Sequence, residues 1–173
     1  MYYPLKTVSV FFLLALSACS TADGPVRPGQ VFVMRHLQAE TGEDPALTEA
    51  GRRDAQLLAN WFKNSDKPQA IFVSRYRRSQ ETAAPLAARL RILPIVYDPS
   101  NNDALIEAVS AKGGNVLVVG HSNTVADIVE RLGGARPAPI QHHEHGDIWR
   151  VSERGGRVEK LRLEKSPREQ RGE

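Results

Sequence analysis

Apolar residues fall along this chain in two spacings. Three unbroken runs, Val31-Phe32-Val33-Met34, Ile71-Phe72-Val73 and Val116-Leu117-Val118-Val119, are each closed by polar residues. Runs of this length without alternation read as strands buried on both faces, as in a parallel sheet covered by helices. Elsewhere the apolar residues recur at i, i+3, i+4, i+7, which lines one face of a helix. Ala55, Leu58, Ala59 and Phe62 follow this rule behind Thr48 as a cap. Ala83, Leu86, Ala87 and Leu90 repeat it, and Val125, Ile128, Val129 and Leu132 form a third stripe stopped by Gly133-Gly134. Pro85 is predicted to kink or divide the second helix, because it lacks an N–H and its ring crowds the preceding turn. A short strand at Ile95–Tyr97 and a helix over Asp103–Ala111, ending at Gly113-Gly114, fill the middle. Two late strands, Asp147–Ser152 and Arg157–Leu163, flank Arg154-Gly155-Gly156 as a hairpin. The order β-α-β-α-β-α-β-α followed by a hairpin predicts an α/β fold, a three-layer α/β/α sandwich with a largely parallel sheet.

The N-terminus departs from this pattern. Lys6 precedes an apolar stretch, Val8 to Leu16, which ends in Leu16-Ser17-Ala18-Cys19. A positive start, a short apolar segment and then small residues are the marks of a secretory signal. The stretch is shorter than the roughly 20 apolar residues that span a bilayer. Leu-Ser-Ala-Cys resembles the lipobox of bacterial lipoproteins, and Cys19 is the only cysteine among 173 residues. The resemblance implies cleavage before Cys19 and its lipidation, with Ser20 next to it as in sorting to the outer membrane. The chain thus divides into a signal peptide at 1–18, a tether at 19–29 rich in glycine and proline, a folded domain at 30–163, and a charged flexible tail at 164–173.

Composition adds little. The apolar and charged fractions, 41% and 25%, are those of a globular domain rather than a disordered one. A net charge of +3 is mild and spread out, which argues against nucleic-acid binding. Positive charge is concentrated only at Arg75, Arg77 and Arg78.

The chemistry gathers at the ends of the three apolar runs. The first ends in Arg35-His36, the second in Ser74-Arg75 ahead of Arg77 and Arg78, the third in Gly120-His121-Ser122. In open α/β sheets ligands bind beyond the carboxyl ends of the strands. Two imidazoles and at least two guanidinium groups delivered to one edge outline a phosphoryl-transfer site. Arginine grips phosphate through two parallel N–H donors, a neutral imidazole can attack phosphorus, and a second imidazole can stabilise the moving charge. This set works without a metal or other cofactor.

These residues resemble those of the histidine phosphatase superfamily, the phosphoglycerate mutase-like fold. Arg35-His36 is similar to the start of its Arg-His-Gly motif, and Leu47-Thr48-Glu49-Ala50-Gly51 to its Leu-Thr-x-x-Gly helix start. Ser74, Arg78, Thr82 and Ala83 fit its Ser-x-x-x-Arg-x-x-x-Thr-Ala element, and Gly120-His121-Ser122 its second histidine motif. The resemblance implies His36 as nucleophile, Arg35 and Arg78 as phosphate clamps, and His121 as the second pocket histidine. Arg78 is preferred to Arg75 and Arg77 because it alone has the required spacing from Ser74 and Thr82. Leu37 replaces the family's usual glycine, which predicts a backbone less close to substrate there. The family's proton donor has no matching motif; Asp103 and Glu40 are the candidates, since loop positions reach a strand-end site. His142, His143 and His145 suggest a metal site at first sight. Neighbouring histidines in an extended segment point to opposite faces and no cysteine joins them, so a polar loop rimming the pocket is expected.

The expectation is an envelope-anchored phosphatase acting through phosphohistidine on a phosphorylated small molecule or an envelope glycan or lipid phosphate. A phosphomutase is disfavoured, because the interval from Arg78 to His121 leaves little room for a substrate-enclosing insertion. The alternative from another class is a lipoprotein that binds phosphorylated or anionic envelope ligands without turnover.

Overall fold

The computed structural model describes residues 29–62, 66–152 and 157–163. The signal segment, Cys19, the tether up to residue 28, the turn at 154–156 and the tail from 164 onward lie outside the described residues.

The elements follow the predicted order: β1 (Gln30–Arg35), α1 (Glu49–Trp61), β2 (Ala70–Ser74), α2 (Arg77–Leu90), β3 (Ile95–Tyr97), α3 (Asn102–Ser110), β4 (Val116–Gly120), α4 (Val125–Arg131), β5 (Asp147–Ser152) and β6 (Val158–Arg162). They form one six-stranded sheet in the order β3-β2-β4-β1-β5-β6. The pairs β2–β3, β2–β4 and β1–β4 are parallel, while β1–β5 and β5–β6 are antiparallel.

The unbroken apolar runs have a simple cause. Phe32, Met34, Ile71, Val73, Leu117 and Val119 point to one face, beneath Leu58 of α1 and Leu86 of α2. Val31, Val33, Phe72, Val116 and Val118 point to the other, with Leu105 of α3 and Ile128 of α4. Both faces are covered, so the central positions of β1, β2 and β4 are apolar throughout. The three-layer α/β/α sandwich is the observed architecture.

Pro85 does not divide the second helix, which runs as α2 from Arg77 to Leu90. Ala83 and Leu86 on either side of it are fully buried in the core. Packing of that face holds the helix together across the backbone hydrogen bond proline cannot make, a penalty of about 3 kcal/mol in isolation.

The register brings the site together. Arg35 at the end of β1 is level with Gly120 at the end of β4, and the His36 N–H donates to the Gly120 carbonyl at 2.9 Å. Ser74 ends β2, which pairs with β4 on its other side. Three strand ends therefore meet at one edge.

Candidate active site

A pocket of about 920 Å³ opens at this edge, and Arg35, His36, Arg78 and His121 line it. The imidazoles of His36 and His121 stand 5.3 Å apart between ring centres. Both residues are buried, 8% and 7% exposed.

The protonation pattern of His36 follows from its contacts. Its Nδ1 lies 2.8 Å from the carbonyl oxygen of Leu37, which only an N–H can satisfy. Nε2 is therefore the nitrogen with the lone pair, and the Nε–H of Arg78 donates to it at 3.2 Å. Burial pushes the His36 pKa down to about 3 from 6.5, and His121, Arg35 and Arg78 add like-charge repulsion against the Leu37 hydrogen bond. His36 is thus neutral, with a basic nitrogen facing a cation: the state a nucleophile requires.

His121 sits on the tight turn between β4 and α4, where Thr124 Oγ1 accepts from its N–H at 3.0 Å. Its Nε2 is 2.8 Å from the hydroxyl of Ser74, and its Nδ1 is buried without a partner. Burial, then Arg78 and Arg35, lower its pKa to about 4. Desolvation is the larger cause, and like charge adds to it.

The two arginines differ. Arg78 stacks its guanidinium over the ring of Tyr76, 4.6 Å from the centroid, and has only a distant carboxylate, Asp44 at 3.9 Å. It is a cation held ready for an anion. Arg35 is more occupied: its Nη1 donates toward the carbonyls of Gln141, His142 and Glu144 at 2.9–3.0 Å. Its Nε is buried without a partner, so that N–H is free for a ligand. Burial and Arg78 lower its pKa while Glu144 raises it.

The loop after His36 explains two sequence features. Leu37 turns its side chain fully into the core, its N–H donates to Thr82 Oγ1 at 3.0 Å, and its carbonyl holds His36. The backbone there serves the fold rather than the substrate, which is why a side chain is tolerated. Gly51 of α1 lies under the same loop, where a Cβ would come within 2.1 Å of the Gln38 carbonyl oxygen. Leu47 fills the core and Thr48 caps α1 by accepting from the Gly51 N–H at 3.0 Å.

Among the acids, Glu40 lines the pocket from its exposed loop. Asp103 does not reach it. It lies in the first turn of α3, exposed, and pairs with Arg131 of α4. Asp54 and Asp98, from α1 and the loop after β3, do line the pocket. Arg75 is a rim charge and Arg77 pairs with Glu81 at 2.6 Å. His142, His143 and His145 all border the pocket, and the described residues contain no group of three or more histidine, cysteine or acidic residues able to hold a metal. Ser74 and Thr82 were visible in the sequence only as letters of a motif, and Thr124 carried no signal there. Their roles as partners of His121 and Leu37 emerge from the tertiary contacts.

Residues 26–104 match the family profile of the histidine phosphatase superfamily, branch 1. Among solved structures, the protein histidine phosphatase SixA complexed with tungstate shares 22% identity at a TM-score of 0.61, over 78% of this chain and 97% of that one. The mycobacterial glucosyl-3-phosphoglycerate phosphatase shares 15% at 0.61, over 81% and 100%. A mycobacterial hydrolase shares 16% at 0.59, over 72% and 82%. No curated protein matches the chain by sequence.

Proposed function

We propose that this chain, a histidine phosphatase superfamily member by sequence profile and fold, hydrolyses phosphomonoesters through a phosphohistidine on His36. The observation that carries this reading is the state of His36: Nδ1 pinned by the Leu37 carbonyl, Nε2 unprotonated and facing the Arg78 Nε–H. A phosphate entering the pocket takes over that N–H and the free donor of Arg35, which leaves Nε2 open for in-line attack on phosphorus. His121, neutral in the empty pocket, gains a proton as the dianion offsets its burial and the two arginines. Its cation then stabilises the equatorial oxygens during transfer. In this reading the transfer has no step routed through a metal.

The substrate falls among phosphorylated small molecules or envelope glycan and lipid phosphates. We also propose that Cys19 is lipidated and holds the domain at the cell envelope, on the periplasmic face of the outer membrane; the support is the Leu16–Cys19 motif and Ser20. No helix among the described residues is long and apolar enough to cross a membrane.

Turnover of a phosphomonoester panel, with an alkaline denaturing quench to trap phosphoenzyme, tests the first proposal. Wild type should form an acid-labile phosphoenzyme and His36→Ala neither phosphoenzyme nor product. Full activity in His36→Ala, or strict loss of wild-type activity in chelator, overturns the mechanism. Labelled fatty acid should enter wild type and not Cys19→Ala; equal labelling of both overturns the anchor.

A further inference from the structure

A phosphomonoester cannot release its alcohol cheaply unless a proton reaches the departing oxygen. His36 attacks, the arginines keep their protons, and His121 is held at Nε2 by Ser74. Asp103 is remote, and Glu40 sits on an exposed loop. We propose that His145 is the acid that protonates the leaving group, a reading that rests on the phosphomonoesterase assignment of the same pocket.

His145 stands just ahead of β5, where the loop 141–145 is folded back over the site by the three carbonyls that Arg35 grips. Its Nδ1 lies 3.1 Å from the backbone carbonyl oxygen of His36 itself, so Nδ1 carries a hydrogen and donates. The ring is thereby fixed beside the nucleophile, with centroids 6.0 Å apart. The other nitrogen, Nε2, is the titrating end. It has no hydrogen-bond partner among the described residues, and the half-buried side chain borders the pocket. Neither His142 nor His143 has such an anchor; both are exposed.

The charges around His145 come from three elements. Arg35 at the end of β1 and His142 on its own loop oppose its cation, Asp54 of α1 favours it, and burial opposes it most. It is therefore poised to be neutral in the empty pocket and to take a proton when a phosphate dianion enters. In the first half-reaction the His36 Nε2–P bond forms as the P–O bond to the alcohol breaks. The Nε2 proton of His145 passes to the departing oxygen, leaving His145 neutral. In the second half-reaction water attacks phosphorus, its proton goes to His145 Nε2, and the His36 Nε2–P bond breaks. Phosphate leaves and the acid is restored.

The test compares p-nitrophenyl phosphate, whose leaving group needs little help from an acid, with glycerol 2-phosphate, whose alkoxide needs a proton. His145→Asn keeps a donor near the position of Nδ1 and cannot titrate; His145→Gln keeps bulk without that anchor and serves as the second variant. For both variants, kcat/KM on glycerol 2-phosphate should fall by about 100-fold or more, the usual worth of a positioned acid. On p-nitrophenyl phosphate it should change by less than about threefold, and the alkaline limb of the alkyl-ester pH profile should vanish. Retained aryl-ester activity shows that the variants fold. Equal losses on the two esters in variants whose urea transitions match wild type, or no loss on the alkyl ester, overturn the assignment of His145 alone. A wild type inert toward both esters overturns the phosphomonoesterase reading and this one with it.

Discussion

Thr82 offers the sharpest perturbation of the site, because it touches no substrate and still ties the nucleophile loop to the helix carrying Arg78. Its hydroxyl donates to the Arg78 carbonyl at 2.7 Å and accepts from the Leu37 N–H at 3.0 Å, and the residue is fully buried. Thr82→Val preserves shape and removes the oxygen. The Arg78 carbonyl loses little, since it lies within α2 and has its helical N–H partner. The Leu37 N–H has no substitute acceptor, so a buried donor is stranded at a cost of about 1–3 kcal/mol. For a domain of this size that corresponds to a drop in Tm of roughly 4–10 °C. Because Leu37 also holds Nδ1 of His36 through its carbonyl, the loosened loop should misplace Nε2 relative to Arg78 and lower kcat/KM by at least about tenfold. Thr82→Ser supplies the control: it keeps the hydroxyl and sheds a methyl group, which costs about 1 kcal/mol of stability and should leave catalysis near wild type. Urea unfolding and steady-state kinetics on the three proteins decide the matter. A valine variant as stable and active as wild type, or a serine variant as damaged in kcat/KM as the valine one, would refute the reasoning.

Four further outcomes are expected. Gly51→Ala should destabilise the protein by about 1–3 kcal/mol, because the new Cβ meets the Gln38 carbonyl oxygen, which is backbone and cannot swing aside; an unchanged urea midpoint would contradict this. Stability should climb with pH from about 3 to 6.5 and level off above. The folded-state pKa values of His36 and His121, about 3 and 4, lie below the ordinary 6.5, so within that window the unfolded chain binds more protons. The effect is on the order of a few kcal/mol, and His36→Gln should flatten the profile of urea midpoints measured from pH 4 to 7. Inorganic phosphate or vanadate should inhibit competitively and stabilise the fold, by about 2.7 kcal/mol at a hundred times Kd; Arg78→Ala should remain folded and lose most of that stabilisation, as followed by Tm against phosphate concentration. The alkyl-phosphate rate should peak on the acidic side of neutrality, since His36 must be neutral while the second histidine is charged in the complex.

The sequence alone determined the layers and the strand ends of this protein. Apolar runs without alternation at 31–34, 71–73 and 116–119 record burial on both faces, and burial is a local preference that each segment expresses by itself. The spacing of Ser74, Arg78 and Thr82 was legible as the motif of the family the chain resembles, although Ser74 ends β2 and only Arg78 and Thr82 share a helix. What tertiary structure alone decided are the contacts between segments far apart in the chain. Ser74 meets His121 across 47 positions, and Arg35 grips the loop at 141–144 across more than a hundred. Those meetings depend on the strand order β2-β4-β1-β5, which no hydrophobic period encodes. The same order carried His145 to His36 and left Asp103 facing Arg131. Leu37 and Pro85 show the limit from the other side: each broke a local rule, and each is accommodated because packing against the sheet and α1 outweighs the local penalty.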